Sequence, residues 1–148
     1  MNKAERIEFV ISEFRKADIT IDENQADKFV RLCDFMVEYN ENVNLTSITE
    51  FSEVVVKHFV DSVLPFTMVD VPQGSSFIDV GTGAGFPAIP LLICRPDLKG
   101  TLCDSLNKRC VYLEKACELI GVKSEIIHAR SEELGRKKRE CFDFATAR

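Results

Sequence analysis

Ser76-Phe77-Ile78-Asp79-Val80-Gly81-Thr82-Gly83-Ala84-Gly85-Phe86-Pro87 is the stretch whose reading decides the fold of this 148-residue chain. Phe77, Ile78 and Val80 form a short apolar run of the kind found in a parallel strand buried on both faces. Gly81, Gly83 and Gly85 then let the backbone turn tightly and approach a ligand with no Cβ in the way. Pro87 suits the first turn of a helix, where its missing N–H costs nothing. Strand, glycine loop and helix N-terminus together make a device for holding a nucleotide-like ligand at the carboxyl end of a sheet.

A dinucleotide loop asks for Gly-x-Gly-x-x-Gly, and here the third glycine comes one residue early, with Phe86 in the expected place. The loop instead stands between two carboxylates. Asp79 lies two residues before the first glycine and is placed to hold the loop, or to attract a cationic part of a ligand. Asp104 closes the next strand and is placed to accept hydrogen bonds from a ribose diol. This pattern resembles motifs I and II of S-adenosylmethionine-dependent methyltransferases, whose ligand has no pyrophosphate to neutralise.

Downstream, the pattern predicts a helix from Phe86 to about Cys94, a strand at Thr101–Asp104 and a helix over Asn107–Ile120 ended by Gly121. Ser124–His128 and Phe142–Ala147 read as third and fourth strands, with a short polar segment, Ser131–Arg139, between them. The alternation predicts a parallel sheet with right-handed crossovers. Such a sheet needs further strands beyond the fourth, so the chain is expected to be the amino-terminal portion of a longer protein, its carboxyl-terminal strands missing.

Upstream, residues 1–74 read as a helical cap that packs on the sheet, and residues 75–148 as the amino-terminal half of the nucleotide-type domain. Ile7, Val10, Ile11, Phe14 and Ala17 mark one face of an opening helix. Thr20-Ile21-Asp22-Glu23 has the form of a capping box for a second, with Ala26, Phe29, Val30, Cys33 and Val37 as its stripe. After the turn-forming Asn42-Val43-Asn44-Leu45-Thr46, Thr49 could cap a helix from about Glu50 to Leu64. His58 and Asp61 are spaced to meet on one face of that helix. They form a substrate-contacting surface, or, more plainly, an ion pair on a solvated face.

Composition excludes several classes. With 24 acidic against 19 basic residues the chain is no general polyanion binder, so a nucleic acid must meet a local patch. The dense basic run is Gly135-Arg136-Lys137-Lys138-Arg139, with Lys108, Arg109 and Arg130 near the same rim. No apolar run approaches a membrane span, and the charged amino terminus lacks a signal-peptide core, so a cytoplasmic protein with no membrane partner is expected. Six cysteines without a Cys-x-x-Cys pair, beside two histidines, predict buried reduced thiols and no metal site.

Taken together, several motifs resemble the RsmG or GidB family of 16S ribosomal RNA guanine-N7 methyltransferases. They are Asn44-Leu45-Thr46, His58 with Asp61-Ser62, the glycine segment through Pro87, Asp104-Ser105 with Lys108-Arg109, Arg130-Ser131-Glu132-Glu133, and Phe142-Asp143 leading to Arg148. The resemblance implies a Rossmann-like α/β methyltransferase fold with an amino-terminal helical extension, S-adenosylmethionine as cofactor, and 16S rRNA or the small ribosomal subunit as partner. Carried over by position, the cofactor would meet Gly81, Phe86, Ser131, Glu132 and Arg148, beside Gly83 and Asp104, which the loop pattern itself assigns to the pocket and the ribose. His58 and Arg148 are the candidates beside the target base. Ala88 replaces the glycine usual in that family's Gly-Phe-Pro-Gly. Guanine N7 has an exposed lone pair and no proton to lose, so the absence of an evident general base agrees with this chemistry. The alternatives are a cofactor-binding but catalytically incomplete fragment and a small-molecule methyltransferase.

Overall fold

The computed structural model describes residues 1–130, 132–134 and 141–148. Among these residues, β1 (Ser76–Val80), β2 (Lys99–Asp104), β3 (Glu125–His128) and β4 (Phe144–Ala147) form one parallel sheet in the order β3-β2-β1-β4. The glycine-loop strand thus has β2 on one side and β4 on the other. Strand addition reverses direction there, and such a reversal opens a crevice at the carboxyl ends of the strands.

Side chains alternate between the two faces of the sheet, as strand geometry requires. Phe77 and Leu102 enter the main core, whereas their neighbours Ile78 and Cys103 join a small cluster with Leu134 on the other face. Two helices cover the main face. α5 (Ala88–Cys94) follows the glycine loop and is buried from Ala88 to Ile93, because it is enclosed by β2 and by other helices. α6 (Asn107–Ile120) follows β2 and ends at Gly121, whose φ of +71° only glycine adopts readily. Pro87 stands just before α5 rather than inside its first turn.

The amino-terminal helices, α1 (Lys3–Lys16) and α2 (Glu23–Tyr39), pack chiefly on other helices. α2 lies across α5 and α6, so the seat expected on the sheet is instead on the helices that already cover it. The capping box of α2 is Asp22 with Gln25, not Thr20 with Glu23. Starting at Asp22 lets Ile21 enter the core while Thr20 stays in solvent. Gln25 also donates to the carbonyl of Ile93 at 3.2 Å, capping the end of α5 from α2.

The next helix begins as α3 (Phe51–Val54), widens into a π-helical segment (Val55–Val60), returns to α geometry in α4 (Asp61–Val63), and closes in a 3₁₀ turn (Leu64–Thr67). Its cap is Glu50, which accepts from the N–H groups of Ser52 and Glu53, and not Thr49. A carboxylate reaching two free donors at a helix N-terminus also favours the dipole, which a hydroxyl does not. One core joins all of this. Aromatic contacts run from Phe14 to Phe29 (4.9 Å), to Phe59 (4.9 Å) and to Phe86 on the glycine loop (6.0 Å between centroids). Among the described residues no helix is long and apolar enough to cross a membrane.

Gly85 and Gly121 both have positive φ, but only Gly85 is enclosed. A Cβ there would lie 2.4 Å from Ile89 Cδ1 and 3.1 Å from Leu113 Cδ2, whereas one at Gly121 meets nothing within 4 Å. Gly85→Ala is therefore expected to cost about 2–4 kcal/mol and Gly121→Ala about 1 kcal/mol in urea unfolding. Equal losses would show that backbone strain alone, not packing under the loop, demands glycine at 85.

Candidate functional site

The glycine loop is held from beneath by Asp79, which is fully buried. Register makes Thr146 of β4 its direct neighbour, and the Thr146 hydroxyl donates to Asp79 Oδ1 at 2.9 Å. The Thr82 hydroxyl, three residues further along the chain, donates to Oδ2 at 2.7 Å. The backbone N–H of Ala88, first residue of α5, bonds the same carboxylate. One side chain therefore joins β1, the loop, β4 and α5. Burial pushes its pKa up to about 6, against the opposing effect of the hydroxyls, the Ala88 N–H and the charge of Arg148.

Above that pin the three glycines divide their work. Gly85 makes room for Ile89, while Gly81 (φ +65°) and Gly83 (φ +59°) face open space in which a Cβ would meet nothing within 4 Å. Asp104 closes the loop from the β2 side. Its Oδ2 accepts from the Gly83 N–H at 2.9 Å, its Oδ1 from the Leu106 N–H at 2.9 Å, and Arg109 lies 3.8 Å away. A cavity of about 270 Å³ opens there, lined by Val80, Gly81, Asp104, Ser105, Ala129, Arg130 and Glu132. Each carboxylate oxygen has two lone pairs, so Asp104 retains acceptor capacity for a diol.

A second cluster lies on the β4 side of the loop. The His58 ring stacks on Phe86 with centroids 4.7 Å apart, and its Nε2 lies 2.8 Å from Thr46 Oγ1. The loop that carries Thr46 is fixed by Asn40, whose Oδ1 accepts from the N–H groups of Leu45 and Thr46 and whose Nδ2 donates to the Thr46 carbonyl. Arg148, just past β4, donates to the Lys57 carbonyl at 3.0 Å and to Ser62 Oγ at 3.1 Å. Burial first, and then the Arg148 charge, hold the His58 pKa below its ordinary value, with Asp61 opposing. Asp61, Ser62, Pro65, Phe66, Pro87, Arg148 and residues 145–147 of β4 line a cavity of about 370 Å³.

The structure thus brings Gly81, Asp104 and Glu132 to one cavity and Arg148 to the other. Gly83 and Phe86 belong to the loop between the two, and His58 lies against Phe86. The Phe86 ring is itself buried beneath His58 and Phe59. Ser131 and the basic run Arg136–Arg139 lie outside the described residues. The expected meeting of His58 and Asp61 gives way to the Thr46 contact: a π turn bonds i to i+5, so positions three apart no longer share a face. Thr82, Thr146 and Asn40 also hold the site, through contacts to Asp79 and to the Thr46 loop. Asp79-x-x-Thr82 carried a local signal, but Thr146, 67 positions from Asp79, carried none without the strand order.

The fold and its crevice define a Rossmann-like α/β methyltransferase architecture with a helical amino-terminal extension. A solved structure of similar fold is a putative protein-L-isoaspartate O-methyltransferase from Plasmodium falciparum in complex with S-adenosyl-L-homocysteine, which matches 96% of this chain and 72% of its own at a TM-score of 0.57 and 14% identity. The chain belongs to the GidB family, rRNA small subunit methyltransferase G, whose sequence model matches residues 25–148. Relatives named ribosomal RNA small subunit methyltransferase G are 43% identical over 145 residues in Bacillus subtilis (strain 168) and 45% identical over 146 in Lactobacillus acidophilus. These alignments cover 96% and 95% of this chain, which spans 61% and 60% of the lengths of those relatives.

The buried Asp79 carboxyl fixes a pH dependence. Its folded pKa of about 6 lies above the ordinary carboxylate value of 3.8, so the folded state holds the extra proton between those two points. Its contribution to stability is therefore present below pH 4, is lost as the pH rises through 6, and is flat beyond. Wild type is expected to lose up to about 3 kcal/mol relative to Asp79→Asn between pH 4 and 7. Denaturant unfolding of both proteins across that range checks this, and parallel curves would overturn it.

Proposed function

We propose that this protein is an S-adenosylmethionine-dependent methyltransferase acting on N7 of a guanosine in 16S ribosomal RNA, cytoplasmic, with that RNA or the small ribosomal subunit as its partner. The observation that carries this reading is the open cradle at Gly81 and Gly83 set against the Asp104 carboxylate, at the point where the strand order reverses. Family membership supports the same substrate class.

The residues present fit the cofactor. The cavity of about 270 Å³ lies just below the roughly 300–1,000 Å³ of typical small-molecule pockets, which suits a nucleoside end with the remainder over the glycine cradle. In this reading Asp104 accepts from the ribose diol, Glu132 borders the base, and Gly81 and Gly83 leave room for the amino-acid portion. Ser131, between Arg130 and Glu132 in sequence, belongs to the same group of proposed contacts. Phe86 acts through the backbone of the loop, since its ring is buried.

Bound there, S-adenosylmethionine supplies an electrophilic methyl on a sulfonium. The guanine N7 lone pair would take that methyl while the sulfur keeps the electron pair of the broken bond, with no proton to release. The protein's task is alignment and a suitable electrostatic environment, not general-base catalysis. Burial lowers the pKa of the His58 imidazole stacked on Phe86, which disfavours a cation against the glycine loop. Arg148, fixed on the far side of the loop, belongs with the target base in this scheme.

Isothermal titration with S-adenosylmethionine tests the cofactor assignment. Binding is expected, and Gly83→Trp, which fills the open cradle, is expected to weaken it by about a hundredfold or more while far-UV circular dichroism stays unchanged. No binding by the wild-type protein would overturn the reading. Methyl transfer to a small molecule that is indifferent to added 16S rRNA would overturn the substrate.

A further inference from the structure

Asp61 and Arg148 carry opposite charges on the wall of one cavity, about 370 Å³ in volume, yet they do not pair with each other among the described residues. The Arg148 guanidinium is instead fixed by the Lys57 carbonyl and Ser62 Oγ, which together take two of its five N–H groups. No hydrogen bond or ion pair engages the Asp61 side chain among the described residues, and it stands exposed at the start of α4. The same wall also carries the apolar side chains of Pro65, Phe66 and Pro87. A donor fork and a carboxylate on one apolar slot ask for a planar ligand with an acceptor next to two donors.

Guanine is the nucleobase with that order on one edge. O6 accepts, while N1–H and the N2 amino group donate side by side, and a carboxylate can take both donors at once. Adenine offers a donor beside an acceptor, so its ring nitrogen would face a carboxylate lone pair. Cytosine has one donor group on that edge, and uracil places its single N–H between two acceptors.

We propose that Asp61 reads the N1–H and N2 amino edge of the target guanine, with Arg148 on O6 and the proline and phenylalanine walls against its faces. This rests on the methyltransferase reading above and names the residue that would select guanosine. Holding the base by that edge leaves N7, on the imidazole side of the ring, free of protein hydrogen bonds. His58 meets Thr46 through Nε2 and makes no hydrogen bond to Asp61.

The test uses the 5′-monophosphates of guanosine, inosine and adenosine, which share sugar and phosphate, so that differences in affinity report the base. Binding is followed by amide chemical shifts of residues 61 and 145–148, with S-adenosylhomocysteine titrated separately by calorimetry. The expected order is guanosine tightest, inosine weaker for want of the amino group, and adenosine weakest by about tenfold or more. Asp61→Asn is expected to abolish that order and leave S-adenosylhomocysteine binding unchanged.

Equal affinities in wild type, or a guanosine preference that survives Asp61→Asn, would overturn the proposal. S-adenosylhomocysteine binding with no nucleotide binding would overturn it as well, leaving the cofactor assignment intact. A guanosine preference lost in Asp61→Asn, in a protein that binds no S-adenosylhomocysteine, would instead retain the guanine site and sink the methyltransferase reading beneath it.

Discussion

A carboxylate removed from water must have its lone pairs met by donors, or it costs several kcal/mol and gives up its charge. Asp79 meets that demand with two threonine hydroxyls and one backbone N–H, and each donor comes from a different element. The consequence is geometric. Thr82 cannot move without the carboxylate, and the carboxylate cannot move without Thr146 of β4 and the start of α5. The shape of the glycine loop and the position of the strand leading to Arg148 are therefore set by one constraint. Both cavities are built on that pinned segment, one against Gly81 and the other against Pro87.

The amino-terminal helices extend the same constraint outward. Phe86 is the last ring of an aromatic path that begins in α1, and it carries His58 on its other contact. Asn40, at the end of α2, holds the loop from which Thr46 reaches His58. Arg109, at the start of α6, touches both that loop, through the Asn44 carbonyl at 3.4 Å, and Asp104. The helical segment thus meets the glycine loop and the closing acid by separate contacts, and it shares their core. Without α2, Phe59 would lose the Phe29 ring that covers it.

What the sequence made legible was what short-range chemistry encodes. The strand, the spaced glycines, the acid ending β2 and the glycine stopping α6 each act within a few residues, and all stand where the pattern put them. Helix starts were harder, because Thr20 competed with Asp22 and Thr49 with Glu50, and burial of Ile21 or access to free N–H groups decided between them. The π segment was invisible: its residues, Val55-Val56-Lys57-His58-Phe59-Val60, also fit an ordinary helix. The wider turn moved His58 toward Thr46 and left Asp61 on a cavity wall. Contacts between distant positions, such as Asp79 with Thr146 or Arg148 with Lys57, needed the strand order before they could be named.

The chemistry proposed for such a site places unusual weight on rigidity. A base nitrogen with a free lone pair needs no deprotonation, so no side chain has to change its protonation state during the transfer. What remains is holding a flat base in line with a sulfonium methyl, for which the return on fixed geometry is large. The architecture answers that need at each glycine differently. Gly85 is enclosed and locks the loop onto Ile89 and Leu113, while Gly81 and Gly83 are open and leave volume above it. A loop that was open at all three positions would be free to shift. One enclosed at all three would have no room for a ligand, so the mixture lets the same short segment be both fixed and open on its upper side.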